Sequence, residues 1–196
     1  MSESRKKPRV VVIAGPNGAG KSTAALSILA AAGIDEFVNA DTIARGLSAI
    51  EPERVAIEAG RIMLKRLREL AGKQVSFAFE TTLASRLFAD WLSELKRAGY
   101  RTSVTFLSLP SPELAVERVK HRIASGGHSV PDDIIRRRFV RGLQNLMKLY
   151  MPIIDEWVVY DNSTPREPLI IAYSHRKRAL VMDAEKWETL NHWVSQ

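Results

Sequence analysis

The chain has 196 residues, 45% of them hydrophobic and 26% charged, a composition typical of one globular domain and unlike disordered or fibrous sequences. Its formal charge of +7 favours an anionic partner or substrate, and the absence of cysteine excludes disulfide frameworks, thiolate zinc sites and cysteine nucleophiles. No apolar run is long enough to span a bilayer, and the N-terminus lacks the apolar stretch of a secretory signal. We therefore expect a cytoplasmic protein without membrane contact.

Short segments rich in β-branched and aromatic residues alternate with segments of helical periodicity along most of the chain. The predicted strands are residues 9–14, 36–39, 75–80, 103–109 and 156–161. Apolar residues spaced by three and four predict helices within 59–70, 88–95, 115–123 and 135–150. This alternation predicts an α/β fold, a three-layer sandwich around a mainly parallel sheet.

The C-terminal segment departs from this alternation. Residues 168–174 and 179–183, separated by a basic turn, predict an antiparallel β-hairpin, and the sequence AEKWETLNHWV predicts a closing helix. No repeat, low-complexity tract or linker divides the chain. We therefore expect a single domain over residues 1–196, with the hairpin and helix over about 166–196.

The segment AGPNGAGKST follows the first predicted strand and precedes a helix-forming stretch, which is the context that a phosphate-binding P-loop requires. In such a loop, backbone N–H groups and the helix N-terminus bind the β- and γ-phosphates, Lys21 reaches them and the Ser22 hydroxyl ligates Mg²⁺. A plain turn would need neither the lysine nor the hydroxyl. The predicted ATP-binding residues are Gly15, Pro16, Asn17, Gly18, Ala19, Gly20, Lys21, Ser22 and Thr23.

Several classes of P-loop protein are disfavoured by what the chain lacks. There is no Asn-Lys-x-Asp or Thr-Lys-x-Asp motif to read guanine and no Asp-x-x-Gly switch, which argues against a GTPase. A motor ATPase would normally be longer and would have a clear apolar strand that ends in Asp or Asp-Glu, whereas the third predicted strand here ends in Glu80. A kinase of a small acceptor is the most economical interpretation.

Acidic and hydroxyl side chains follow the second and third predicted strands, at the edge where parallel sheets assemble their sites. Asp41 could accept the proton of the acceptor hydroxyl or hold Mg²⁺; the alternative is that it caps the next helix. Glu80 could bind Mg²⁺ through water or contact the acceptor, as could Thr81 and Thr82. For one threonine, helix capping is the alternative.

Arginines bracket a Gly-Gly-His segment that we expect to be a loop. Arg118 and Arg122 share a face of the preceding helix, and three consecutive arginines lie on the helix that follows. Together they predict a lid over about residues 118–141 that brings guanidinium groups to the phosphates. Because consecutive helical residues point about 100° apart, at most one or two of the three can face the site. Arg137 and Arg138 are near-equal candidates, and we expect Arg138 to be catalytic together with Lys21, Asp41, Arg118 and Arg122.

Six segments together resemble the zeta toxin family of P-loop kinases over roughly residues 8 to 163: VIAGPNGAGKST, FVNADTIA, FAFETTLAS, RVKHRIASGGHSVP, RRRFVRGLQNL and WVVYDNS. The resemblance implies a P-loop kinase fold, ATP with Mg²⁺, and transfer of the γ-phosphoryl group to a hydroxyl of UDP-N-acetylglucosamine or a similar nucleotide sugar.

The same resemblance assigns roles to residues. In the family's motifs, Lys21 and Ser22 match the P-loop pair, and Asp41 matches the catalytic base. Glu80 with Thr81 or Thr82 falls in the acceptor-contacting segment. Arg118 or Arg122, and Arg137 or Arg138, match the arginines of the lid. Very little sequence precedes the P-loop, so we expect no fused antitoxin and consider an antitoxin in trans as a partner. One alternative is a kinase whose acceptor is another small molecule, an antibiotic or a polynucleotide. Another is a toxin–antitoxin interaction component that binds nucleotide. Nucleic acid is disfavoured as a partner, because scattered charges are usually solvated surface.

Overall fold

The computed structural model describes residues 7–124, 129–164, 166–176 and 178–195. The predicted Gly126-Gly127 loop lies outside these residues. The strands are β1 (Arg9–Ala14), β2 (Glu36–Val38), β3 (Phe77–Thr81), β4 (Arg101–Ser108), β5 (Glu156–Asp161), β6 (Leu169–His175) and β7 (Arg178–Val181). The helices are α1 (Lys21–Ala32), α2 (Ala40–Leu47), α3 (Ala56–Gly72), α4 (Leu87–Arg97), α5 (Pro112–Ala124), α6 (Asp132–Asn145) and α7 (Ala184–Ser195), with a 3₁₀ turn at Pro52–Val55 and a π-helical turn at Leu146–Tyr150.

The strands form one sheet in the order β2-β3-β1-β4-β5-β6-β7. The first five strands in this order are parallel, whereas β6 pairs with β5, and β7 with β6, in antiparallel fashion. The C-terminal hairpin therefore extends the main sheet. From β1 the chain goes to the edge strand β2, returns to β3 between β2 and β1, and then crosses to β4 on the other side of β1. The strand order therefore reverses at β1, which is where open α/β sheets bind their ligands.

The two faces of the sheet bury different amounts of apolar surface. Val10 and Val12 of β1 belong to the larger core, which takes side chains from α3, α4, α5, α6 and α7. Val11 and Ile13 point the other way, into a smaller core closed by α1. Burial on both faces explains why β1 is a continuous run of β-branched residues and lacks polar alternation.

Aromatic contacts dock the last helix against the hairpin end of the sheet. The rings of Trp157 and Trp187 are stacked with centroids 6.1 Å apart and planes inclined by 4°, and Trp193 Nε1 donates to the Pro110 carbonyl at 3.1 Å. Helix α7 thus packs onto the sheet, and the predicted C-terminal hairpin and helix are both present. Among the described residues, no helix is long and apolar enough to cross a bilayer.

A carboxylate fixes the start of β5 against β4. Asp155 Oδ2 accepts from Thr102 N at 2.9 Å and from Thr102 Oγ1 at 3.1 Å, and Asp155 Oδ1 lies 2.8 Å from Lys96 Nζ. Burial by itself would raise the pKa of Asp155, but the hydrogen bonds from Lys96 and Thr102 outweigh it and the pKa is lowered. The folded state therefore favours the ionised form.

We expect Asp155→Asn to lower the melting temperature at neutral pH by roughly 2–4 °C, since it removes a charge-assisted contact. A depressed folded-state pKa stabilises the protein above the unfolded-state value of about 3.9, and that stabilisation is lost as the pH falls through the folded value. The deficit of the variant should therefore be full at pH 7 and shrink below about pH 4. Asp35→Asn, at an exposed position, is the control; a deficit that grows in acid would contradict this account.

Candidate active site

The P-loop conformation depends on glycines at positions where side chains do not fit. Gly15 has φ +142°, and a Cβ there would lie 2.2 Å from the Leu107 carbonyl oxygen. Gly20 has φ +77°, and its Cβ would lie 2.7 Å from Asn162 Nδ2. Gly20 precedes α1 without a capping side chain, and the first turn of α1 contains no acidic residue. The helix N-terminus is therefore open to an anion.

Lys21 is held at the base of this loop. Its side chain is 8% exposed; Nζ donates to the Pro16 carbonyl at 2.9 Å and lies 3.7 Å from Glu80 Oε1. Burial lowers the pKa of Lys21, and the nearby carboxylates of Glu80 and Asp41 oppose that shift. A polyphosphate would bring further negative charge to this ammonium and so favour its charged form.

Glu80 joins the P-loop to the neighbouring strand ends. Its Oε2 accepts from Ser22 Oγ at 2.8 Å and from Asn39 Nδ2 at 2.7 Å. A serine hydroxyl and a carboxylate are hard oxygen donors of the type that Mg²⁺ prefers, with phosphate oxygens and waters as its remaining ligands. Ser22 and Glu80 therefore fit the predicted magnesium site. The described residues hold no cluster of three or more acidic or histidine side chains that would bind a metal on its own.

Asn39, which the sequence analysis did not single out, caps α2. Its Oδ1 accepts from Asp41 N at 2.8 Å and from Thr42 N at 3.1 Å. The capping alternative considered for Asp41 is therefore wrong, because Asn39 holds that position and Asp41 lies within the first helical turn. The Asp41 side chain lines the cavity described below.

The two threonines after β3 shape a turn. Thr81 Oγ1 accepts from Leu83 N at 3.1 Å, and Thr82 Oγ1 accepts from Ala84 N at 3.4 Å. Neither threonine caps α4, whose N-cap residue is Arg86, so the capping alternative for a threonine is also wrong. Both residues line the same cavity as Asp41.

Helix α6 and the π-helical turn pack closely on this threonine turn. A Cβ on Gly142 would lie 2.5 Å from the Thr82 carbonyl oxygen, so the close approach requires glycine. Asn145 Nδ2 donates to the Leu83 carbonyl at 2.7 Å, and Tyr150 Oη donates to the Ser85 carbonyl at 2.9 Å. Burial raises the pKa of Tyr150 to about 12, which keeps this donor protonated. These contacts bring the arginines of α6 to the edge of the sheet.

A cavity of about 390 Å³ lies between the P-loop, the strand ends and α6. Met63 and Phe88 give it an apolar side, and its other walls are polar or charged. The side chains with chemical function that line it are Asn17, Lys21, Asn39, Asp41, Glu80, Thr81, Thr82, Ser85, Arg137, Arg138 and Arg141. The cavity thus combines the lysine of the P-loop, carboxylates that can accept a proton, and the cationic side chains of the arginines.

Both candidate arginines of α6 reach this cavity. Arg137 and Arg138 line it together with Arg141, which the sequence analysis missed although it follows them by four and three residues, the spacing of one helix face. Arg136 is directed elsewhere and pairs with Glu113 of α5. The expectation that one or two of the three consecutive arginines face the site agrees with this geometry.

Arg118 occupies a different place. Its Nη1 and Nη2 donate to the carbonyls of Asn162 and Ser163, each at 2.7 Å. It lines a larger groove of about 900 Å³, next to Gly20 and Thr23 of the P-loop and α1. In this arrangement Arg118 holds the turn after β5, and that turn is tied to the P-loop because Asn162 Nδ2 donates to the Ala19 carbonyl at 2.8 Å.

Arg122 lies on the same helix as Arg118, one turn further along. Its positive charge contributes to lowering the pKa of Lys21, which puts it within electrostatic range of the P-loop lysine. Its role at the phosphates stays a prediction.

The parallel sheet, the glycine-dependent loop and the lysine at the start of α1 define the fold and site of a P-loop kinase-like protein. The family model for "Zeta toxin" matches residues 1–166. The chain therefore belongs to the zeta toxin family. Among curated proteins, it is similar to an uncharacterized protein of Haemophilus influenzae, with 25% identity over 131 residues that cover 67% of this chain and 92% of that protein.

Solved structures show the same fold at low identity. One chain of the AvrRxo1-ORF1:AvrRxo1-ORF2 complex, crystallised with sulphate ions, superposes with a TM-score of 0.75 at 19% identity, covering 94% of this chain and 63% of that one. The present chain thus spans less than two thirds of the matched chain of that complex. A further crystal structure of the complex contains ATP. The structure from the PezAT toxin–antitoxin system of Streptococcus pneumoniae superposes with a TM-score of 0.64 at 16% identity, covering 99% of this chain and 87% of that one.

Proposed function

We propose that the protein is an ATP- and Mg²⁺-dependent kinase that phosphorylates a hydroxyl of a nucleotide sugar such as UDP-N-acetylglucosamine. The observation that carries this proposal is the shared cavity: the P-loop Lys21, the Asp41 carboxylate and the cationic side chains of Arg137, Arg138 and Arg141 line the same space. Membership of the zeta toxin family supports the same class of reaction.

The residues suggest a direct in-line transfer. Lys21 and the N–H groups of the P-loop bind the β- and γ-phosphates, and Ser22 and Glu80 hold Mg²⁺, which supplies charge neutralisation on the transferring group. Asp41 accepts the proton of the acceptor hydroxyl as its oxygen bonds to the γ-phosphorus. The bond from that phosphorus to the β,γ-bridging oxygen breaks, and ADP leaves with the bridging oxygen's electron pair.

The cavity walls favour an acceptor that combines charged and flat apolar parts. The three arginines of α6 suit a diphosphate, since each guanidinium group can donate two parallel hydrogen bonds to phosphate oxygens. Met63 and Phe88 offer an apolar surface against which a base or sugar face can pack. A nucleotide sugar has both parts and also carries free hydroxyls. A small neutral alcohol would leave the arginines without a partner.

An antitoxin in trans is the partner we propose for this enzyme. Two structures with the same fold come from two-protein systems, the AvrRxo1-ORF1:AvrRxo1-ORF2 complex and the PezAT toxin–antitoxin system, and the chain belongs to the zeta toxin family. A kinase that consumes a nucleotide sugar would deplete a building block of the cell, so its activity would have to be held in check. Co-purification with the product of an adjacent reading frame tests this partner.

The proposed transfer is measured with γ-phosphate-labelled ATP and a panel of UDP-sugars. We expect a labelled sugar nucleotide from the native protein and a fall in kcat of about 10²–10⁴ in Asp41→Asn, the range for loss of a general base. Binding of Mg·ATP should change little, because the P-loop is intact. Asp35→Asn, an exposed carboxylate, is the control. Transfer at the native rate in Asp41→Asn, or no labelled sugar with any UDP-sugar, would contradict the proposal.

Helix α6 offers a matched set of arginines for testing the acceptor side. We expect Arg138→Met and Arg141→Met each to raise KM for the nucleotide sugar by about tenfold or more, since each loses a charge-assisted phosphate contact. Arg136→Met should leave this KM nearly unchanged, because Arg136 pairs with Glu113 outside the cavity. Equal effects of all three substitutions would indicate a general charge effect and would argue against a specific phosphate site.

A further inference from the structure

Two glycines of the P-loop lie against elements that come from elsewhere in the chain. A Cβ on Gly18 would lie 2.8 Å from the Ala115 carbonyl oxygen of α5, and a Cβ on Gly20 would lie 2.7 Å from Nδ2 of Asn162, which follows β5. The first contact is made by a backbone carbonyl, whereas the second is made by a side-chain amide. Asn162 is therefore a residue outside the loop whose side chain can act on it.

The Asn162 amide holds one particular peptide of the loop. Its Nδ2 donates to the Ala19 carbonyl at 2.8 Å. The Ala19 carbonyl and the Gly20 N–H belong to the same peptide unit, and in a planar trans peptide these two groups point in opposite directions. The Gly20 N–H thus points away from Asn162. Because P-loops bind phosphate oxygens through inward-pointing N–H groups, the orientation of this peptide decides whether it offers the phosphates a donor or an oxygen.

The loop does not fix this orientation by itself. Gly20 has φ +77°, but glycine adopts positive and negative φ about equally well, so the peptide before it can turn over at little steric cost. Gly20 is also the N-cap of α1 and makes no capping side-chain hydrogen bond. After such a turn, the Ala19 carbonyl would direct its negative end at the phosphates. A contact from outside the loop prevents this, and the Asn162 amide supplies one.

Asn162 is itself held on both sides. Its backbone N–H donates to the Ser108 carbonyl of β4 at 3.1 Å, and its carbonyl accepts from Arg118 Nη1 at 2.7 Å. The next residue is fixed as well, because Ser163 N donates to Asp161 Oδ1 at 2.8 Å. The amide therefore reaches the loop from an anchored backbone, which is what a side chain needs to orient another group.

We propose that Asn162 is a positioning residue for phosphoryl transfer: its amide holds the Ala19–Gly20 peptide so that the Gly20 N–H is aimed at the phosphates of ATP. The inference rests on the proposed kinase function. Asn162 acts through the loop and touches neither the transferred group nor the acceptor. Donors that are oriented before the reaction stabilise developing charge without reorganisation. Loss of the amide should therefore weaken phosphate binding and leave the acceptor side, with Asp41, unchanged.

The test uses Mg·tripolyphosphate, which has the phosphates of ATP without its base or ribose. In Asn162→Leu, which removes the donor at similar size, we expect Kd for Mg·tripolyphosphate and for Mg·AMP-PNP to rise by the same factor, about tenfold, in calorimetric titrations. Asn162→Ala, which adds no bulk beside Gly20, should show the same loss. With UDP-N-acetylglucosamine as acceptor, kcat should fall while KM for the sugar nucleotide stays within about twofold.

The Gly20 amide resonance reports on the proposed orientation directly. A phosphate oxygen that accepts from an N–H moves the proton resonance of that N–H downfield. Saturating tripolyphosphate should therefore shift the Gly20 signal downfield in ¹H–¹⁵N spectra of the native protein and leave it nearly unmoved in Asn162→Leu. A loss of stability alone would not abolish this shift at saturation. An equal downfield shift in both proteins would overturn the inference.

Asn191→Leu is the matched control. The Asn191 amide donates to the Trp187 carbonyl at 2.9 Å within α7, so the substitution removes the same kind of hydrogen bond away from the P-loop. Both Kd values and the Gly20 shift should stay native; losses equal to those of Asn162→Leu would indicate general destabilisation and overturn the inference. Asn162 also lines the larger groove, so weaker AMP-PNP binding with unchanged tripolyphosphate binding would overturn it in favour of a nucleoside contact.

Failure of the proposed function gives a different pattern. If the native protein binds Mg·tripolyphosphate but transfers phosphate to no UDP-sugar, the kinase proposal fails, and the tripolyphosphate affinities and the Gly20 shift still decide on Asn162. If the native protein transfers phosphate and Asn162→Leu keeps the native affinity for tripolyphosphate, the Asn162 inference fails and the kinase proposal stands. A native protein that binds no tripolyphosphate would overturn both.

Discussion

The arrangement of the site depends on the contacts that the Glu80 carboxylate makes. One of its oxygens binds Ser22 and Asn39, and the other faces Lys21. Through these contacts a single side chain at the end of β3 links the P-loop, the start of α1 and the cap of α2. Because a buried carboxylate is costly without partners, removing any of these partners would leave charge or polar groups unpaired in the same small volume.

This network also connects the two spaces that flank the P-loop. The larger groove lies beside α1 and the turn after β5, where Arg118 and Asn162 join that turn to the P-loop. The smaller cavity lies on the other side of the P-loop, under α6. Lys21 and Glu80 line the smaller cavity, at the end of the sheet where the strand order reverses at β1. The larger groove runs along the α1 face of the sheet, from Arg9 to Asn162. In the proposed reaction, nucleotide and acceptor meet from opposite sides of one loop.

Much of this architecture could be predicted from the sequence, because its determinants are local. The strand β1 and the P-loop follow from a β-branched run and a spaced glycine-lysine motif, and the five parallel strands lie within two residues of their predicted bounds. Asn39 and Arg141 were missed for different reasons. The cap of α2 moved from Asp41 to Asn39, a shift of two residues that periodicity does not resolve. Arg141 has the right helical spacing, but its access to the cavity depends on the close contact between Gly142 and the Thr82 carbonyl, which is tertiary. The different placements of Arg118 and Arg138 also depend on tertiary packing.

The central proposal is that nucleotide and acceptor bind on opposite sides of the P-loop. The acceptor then contacts Asp41 with a hydroxyl and the arginines of α6 with its phosphates. A crystal structure of the protein with Mg·AMP-PNP and UDP-N-acetylglucosamine tests it most directly. The account predicts a sugar hydroxyl within hydrogen-bond distance of Asp41 and the diphosphate of the sugar nucleotide against Arg138 and Arg141. A sugar nucleotide bound outside this cavity, with Asp41 remote from every hydroxyl, would contradict it.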